Sequence, residues 1–402
     1  MRVWSLPVPA DKEVLMVSMF RLCRALVPVL VFVWPFDARA APEPPKGTAD
    51  AIAMFDEAVD AGLPFRIWVP YVKMTASPPV EKQDGRSRVL RAVGSGAGAG
   101  AGISVEQRLP VNLRLSPEVA GVMYAGQLNG EHAIFTRGGD GLHVSLPSSE
   151  GVTVVTFLAG RDEAWRRTYP AGEGLVDEPV ASYTGDLSIK PGHVEDPLAH
   201  TPTFHVFVHD DLREHRVADL HARFTAWWAM DLLKVLPGEP TIFVNYHSRI
   251  PWITDMDYEH PDVLDRFAVA LRQLSLHTGW PYGKSYKHKF LLLTARPAVA
   301  KASGLAVVGQ SEATASIQGR VSVVAHEFGH TLGATHEAAT SGRIPTGAWS
   351  MMYWYGCDTN MHPVAPSTFS CLRYSPANER AIRSYMRHGP VAEQKDVWLE
   401  RR

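Results

Sequence analysis

Two hydrophobic rhythms run along the chain. Between about residues 103 and 160, short stretches rich in β-branched and aromatic residues are broken by Gly, Asn and Pro: ISVEQRLPVNLRL, GVMYAGQL, HAIFTRG, LHVSLP and GVTVVTFL. This punctuation predicts short strands and a β-rich region. From Phe204 the rhythm changes. FHVFVHD, TIFVNYH, KFLLLTA and LAVVGQS read as strands, with helical patterns between them. Val217, Leu220, Phe224, Trp227 and Leu232 recur near spacings of three and four and predict one amphipathic helix, stopped by Pro237-Gly238. Leu264, Phe267, Leu271 and Leu274 predict a second, from Pro261 to Gly279. A last helix starts at Ser375 as N-cap with Pro376 in its first position, and Gly389-Pro390 ends it. Strands alternating with helices imply an α/β (α+β) domain with helices packed on a sheet.

The flanking segments divide the 402 residues further. Arg21 and Arg24, the apolar run Ala25–Trp34 and the A-x-A triplet Ala38-Arg39-Ala40 have the form of a secretion signal cleaved after Ala40. The apolar run is too short for a bilayer, which needs ~20 residues. An uncleaved anchor is the alternative. Asp11, Lys12 and Glu13 are unusual ahead of a signal and point to Met16 or Met19 as the start. Residues 1–40 are thus read as a signal, 41–200 as a β-rich region and 201–402 as an α/β domain. The mature chain is expected to be secreted or periplasmic, with no stable membrane span. GSGAGAGAG at 94–102 reads as a flexible loop, and the polar tract from Gly172 to Thr203 as a connector.

Composition adds little beyond a globular class. The chain is 46% hydrophobic with a formal net charge of −2, so no basic surface argues for nucleic acid or an anionic membrane. Of three cysteines, Cys23 lies in the signal. Cys357 and Cys371 remain, and in an exported protein such a pair reads as a disulfide, with two free thiols as the alternative.

The chemistry concentrates in VVAHEFGHTLGATHE, residues 323–337. On a helix His326 and His330 lie about 40° apart, so two imidazoles share one face. Val321, Val324, Phe328 and Leu332 can fix that helix to the sheet. Gly333 is placed to end it, because glycine tolerates positive φ. The chain can then bring His336 back as a third ligand. Three neutral imidazoles suit Zn2+ and leave a fourth position open, as catalytic rather than structural sites do. Glu327 is the carboxylate that could take a proton from an activated water and pass it to a leaving amine. The alternative is that these are packing and surface histidines, but five fixed positions, a glycine at the turn and a third His weigh against it.

HEFGHTLGATH resembles the zinc motif of the metzincin clan of endopeptidases, H-E-x-x-H-x-x-G-x-x-H followed by a Met-turn. The resemblance implies His326, His330 and His336 as ligands, Glu327 as general base and Gly333 as the turn. It implies a Met-turn within WSMMYWY, at Met352, with Ser350 two residues before it; Met351 is the second choice. A tyrosine two residues after the methionine, used in some members, would be Tyr353 only if Met351 is the turn residue; after Met352 stands Trp354. The runs GLAVVGQSEATASI and FSCLRYSPANERAI are similar to bacterial reprolysin-like (adamalysin-like) members. The family implies a long active-site helix and a twisted, mostly parallel sheet. Its antiparallel edge strand would be near Leu305–Ser311, against which an extended protein or peptide substrate could pair. Cys357–Cys371 would brace the segment after the Met-turn.

The β-rich region at 41–200 resembles the prodomains of these enzymes and reads equally as a removable propeptide or a permanent domain. It holds no cysteine, which excludes a cysteine switch; an Asp or His would have to replace it, Asp140 being one candidate. His205 and His209 are expected on one half-exposed strand face. The acidic run DMDYEHPD reads as a solvated helix-capping loop, since it lacks the spacing of an EF-hand. The function implied is a zinc endopeptidase. The rivals are a narrow processing peptidase and a zinc-containing binding or adhesion module without turnover.

Overall fold

The computed structural model describes residues 47–69, 73–76, 101–148, 151–171, 201–238, 240–280, 282–283, 285–299, 302–336, 338, 340–345, 352–357 and 372–390. The expected signal at 1–40, and Cys371 with it the expected disulfide, lie outside these residues. Among the described residues no helix is long and apolar enough to cross a membrane.

The N-terminal half begins with helix α1 (Thr48–Ala61), β1 (Phe65–Val69) and β2 (Lys73–Ala76). The predicted short strands follow as β3 (Ala101–Arg108), β4 (Val111–Arg114), β5 (Ala120–Leu128), β6 (Glu131–Gly138), β7 (Gly141–Ser148), β8 (Gly151–Leu158) and β9 (Glu163–Pro170). β5 to β9 form an antiparallel meander. Its runs are apolar at both parities because both faces are covered. Tyr124, Phe135, Val155 and Phe157 pack with Ala51, Ile52 and Phe55 of α1. Met123, Ala125, Ile134, Val152 and Val154 belong to the opposite core.

The C-terminal half contains β10 (Thr203–Val208), α2 (Val217–Phe224), α3 (Ala226–Val235), β11 (Ile242–His247), α4 (Val263–Thr278), β12 (His288–Thr294), β13 (Gly304–Ala306), β14 (Glu312–Ser316) and α5 (Val323–Thr331). After these come β15 (Thr340–Pro345), β16 (Met352–Cys357) and α6 (Pro376–His388). β14, β12, β10 and β11 run parallel, and β13 closes the edge antiparallel to β14. The strand order is β13-β14-β12-β10-β11-β4-β5-β6-β7-β8-β9-β2. A single sheet therefore crosses the division read at residue 200, with β4 paired in parallel to β11.

Several sequence expectations change. The helix predicted from Val217 to Leu232 is two, because Thr225 leaves helical geometry at φ −121 and its hydroxyl accepts a hydrogen bond from Tyr246 at 2.8 Å. Of LAVVGQS only the start is strand; Gly309 turns the chain at φ 77. The strand that pairs with β12 is β14, whose EATAS lacks a hydrophobic signature.

His205 is buried rather than half-exposed, at 6% accessibility, because helices cover this face of the sheet. Its Nδ1 lies 3.1 Å from His247 Nε2 and its Nε2 lies 3.4 Å from His288 Nδ1. The three rings form a stack on neighbouring strands, not a cluster converging on one point. His209, just beyond β10, is paired instead with Asp211 at 2.9 Å.

The buried imidazoles give the fold a pH dependence. Burial lowers His205 well below its usual range and His247 to about 4. Burial, then the neighbouring His143, lowers His221 to about 3. In the unfolded chain each takes a proton near 6.5, so below that pH the unfolded state binds more protons and folding loses stability. The expected loss is up to roughly 1.4 kcal/mol per group per pH unit, ending for His247 near its folded value and for His221 about a unit lower. Urea titrations at pH 7.5, 6.5, 5.5 and 4.5 check this. The slope should flatten in His221→Gln and His247→Gln; an unchanged slope would show that these groups do not carry it.

Candidate metal centre

α5 is nine residues long, shorter than the expected long helix. A turn at Arg320–Val323 precedes it, and Gly333, at φ 87, ends the helical path as predicted. Val321, Val324, Phe328 and Leu332 are all buried. The Phe328 ring stacks on Trp228 at 4.9 Å and meets Phe204 edge-on at 5.1 Å. Tyr374 donates to the Ala325 carbonyl at 2.7 Å and accepts from Trp228 Nε1 at 2.8 Å. The helix is thus clamped on three sides before any metal is considered.

The three histidines meet at one point. His326 Nε2 and His330 Nε2 are 3.1 Å apart, and His336 Nε2 is 3.2 Å from each. A tetrahedral Zn2+ with arms of 2.0–2.1 Å separates its ligand nitrogens by about 3.3 Å. The donor set therefore fits zinc in number, chemistry and spacing. His330 Nδ1–H donates to the Ala334 carbonyl at 3.0 Å, which fixes the tautomer whose Nε2 lone pair faces the centre. His326 and His330 are buried, while His336 is exposed, so the centre opens to solvent on that side.

Glu327 is 1% exposed, with Oε1 4.0 Å from His326 Nε2. Its carboxylate lies under the edge strand, against Gly304. A Cβ on Gly304 would stand 2.5 Å from Glu327 Oε1 and 2.7 Å from Cγ and Cδ. The sequence pattern did not single out Gly304; a glycine opening a strand next to a zinc motif is the signal that could have.

Two further groups hold the site. Asn378, fully buried on α6, accepts from the Thr335 N–H at 3.1 Å and donates to the Thr335 carbonyl at 3.0 Å. This amide pair fixes the residue before His336. Asn378→Ala is expected to weaken zinc retention roughly 10- to 100-fold, the usual cost of losing support around a ligand. Competition with a chelator of known affinity measures it, and retention equal to wild type would refute the role. Lys289, also fully buried, donates to the Gln310 carbonyl at 3.0 Å and to Tyr385 Oη at 2.8 Å; burial lowers its pKa to about 7. Gly309 in the same turn donates to the His330 carbonyl at 2.8 Å. The turn after the edge strand is thereby tied to the ligand helix.

Met352 opens β16 opposite Pro345, and Cys357, at its end, lies opposite Thr340. Met351 lies outside the described residues. Asp140, in the β6–β7 turn, is half-exposed and paired with Arg216, as its place on an outer turn dictates.

No family model matches the chain, and no curated protein matches it. Among solved structures it is similar to the crystal structure of metalloproteinase-II from Bacteroides fragilis, with 14% identity and a TM-score of 0.44, over 72% of this chain and 88% of that chain. At that score the likeness is too slight to support a functional argument, and the case for a function rests on the site itself.

Proposed function

We propose that this chain is a zinc-dependent endopeptidase that hydrolyses peptide bonds of protein substrates with Glu327 as general base. The observation that carries the reading is the three imidazole nitrogens 3.1–3.2 Å apart with a buried carboxylate on the next residue of the same helix. His326, His330 and His336 would hold the metal. Zn2+ there would polarise the scissile carbonyl and lower the pKa of a water to about 7. Glu327 would accept that water's proton and return it to the leaving amine. β13, at one end of the strand order, offers an edge for an extended substrate. Export by the 1–40 segment, a Met352 turn and a Cys357–Cys371 bridge belong to the same proposal.

The test is casein digestion by the metal-loaded chain, after chelation, and after Zn2+ is returned. Cleavage that disappears and comes back with Zn2+ supports the reading. One zinc per chain with no cleavage of casein or of the chain itself would favour the binding module. Failure to bind zinc at all would remove the metal centre.

A further inference from the structure

The division read at residue 200 separates two halves that share a sheet and a core. β4 lies beside β11, and Ile242 N–H donates to the Pro110 carbonyl at 3.1 Å. Leu113 of β4 and Met123, Ile134, Val152 and Val154 of the meander are buried in the same cluster as Phe224, Trp227 and Trp228 of α2 and α3. Polar groups also cross. Ser145 Oγ donates to the Ala222 carbonyl at 2.6 Å. Asp219 receives both His143 Nδ1 and Thr156 Oγ1 at 3.0 Å. The Arg223 guanidinium lies 4.3 Å over the Tyr169 ring.

This is the anatomy of an obligate interface: a backbone ladder, an apolar centre and buried polar contacts that cross it. The same α2–α3 pair packs on its other side against α5 through Trp228 and Phe328. Removing the N-terminal half would uncover the face of α2 and α3 that packs on β6, β7 and β8, with the Ala222 carbonyl that Ser145 now satisfies. It would also leave β11 as a bare sheet edge, a surface prone to pairing with other chains.

We propose that the N-terminal β-rich half is a permanent part of the protein, docked on β11 and the α2–α3 face, and that it stays bound when the 172–200 connector is cut. Cutting the connector separates the chain covalently and leaves the interface whole. Docking is independent of the peptidase reading, since either can fail alone.

The experiment places a recognition sequence for a site-specific protease in the connector of the full chain. After complete cutting, the protein is run on size exclusion in native buffer. Both fragments should co-elute at the uncut size and unfold in one urea transition seen alike by tryptophan fluorescence and circular dichroism. In the uncut chain Met123→Ala should lower the midpoint of that single transition at both probes. Separation of the fragments in native buffer, in whatever state the C-terminal piece is left, overturns the proposal. So do two transitions in the uncut chain, with only one moved by Met123→Ala.

Discussion

Glu327→Gln is expected to lower kcat/KM on a protein substrate by roughly 10²–10⁴ while zinc content stays at one per chain. The exchange keeps the shape of the side chain, so the close fit under Gly304 is preserved. What is lost is the proton acceptor. None of the three ligand nitrogens is touched, and His330 keeps its bond to the Ala334 carbonyl. Each tenfold loss corresponds to about 1.4 kcal/mol of transition-state stabilisation. The melting temperature should not fall, because a buried charge is costly and a neutral amide relieves it. A metal assay, a thermal melt and a rate on the same preparation make the check. Turnover within tenfold of wild type would remove Glu327 from the reaction; loss of zinc would make it part of the site's architecture instead.

The second large effect is expected at a residue with no side chain. Gly304→Ala inserts a methyl where the Glu327 carboxylate already lies, at 2.5–2.7 Å, closer than real contacts allow. Either the carboxylate or the edge strand must move. A misplacement of about 1 Å costs on the order of 10² in rate, so kcat should fall by that order with zinc retained. A double-mutant cycle separates a positioning role from general damage. In a Glu327→Asp background the shorter acid leaves space, and Gly304→Ala should then cost little further. Equal costs in both backgrounds would mean that the methyl acts elsewhere.

The histidine cluster was legible because a shared point of convergence constrains local spacing. Two histidines one helical turn apart, and a glycine before the third, leave a trace within eleven residues. The helix ends were legible for a similar reason: Ser375 caps through Asn378 N–H at 3.1 Å, as its type and place required. What supports the centre was not legible. Asn378 acts on Thr335 across 43 positions, and Trp228 reaches Tyr374 across 146. Such contacts have no period. β14 was missed because small residues suffice for a strand pinned between β12 and β13. Thr225 divides a helical pattern through a hydroxyl held by Tyr246, a partner fixed only by the tertiary fold. His205 was misjudged because its polarity suggested a wet face, whereas its neighbours are two other imidazoles on adjacent strands.

The pairing of β4 with β11 has a consequence for how the chain acquires its shape. Val111 and Ile242 are neighbours in the sheet although far apart in sequence. During synthesis the meander is complete in covalent terms long before α2, α3 and β11 exist. Until then Met123, Ile134 and Val154 have nothing to bury against, and an apolar surface faces the surroundings. Closing so distant a pairing is slow, because the entropy of the intervening loop is lost before its contacts form. A chain whose synthesis stopped before β11 would carry that apolar face with no native partner, and a surface of this kind favours aggregation over folding.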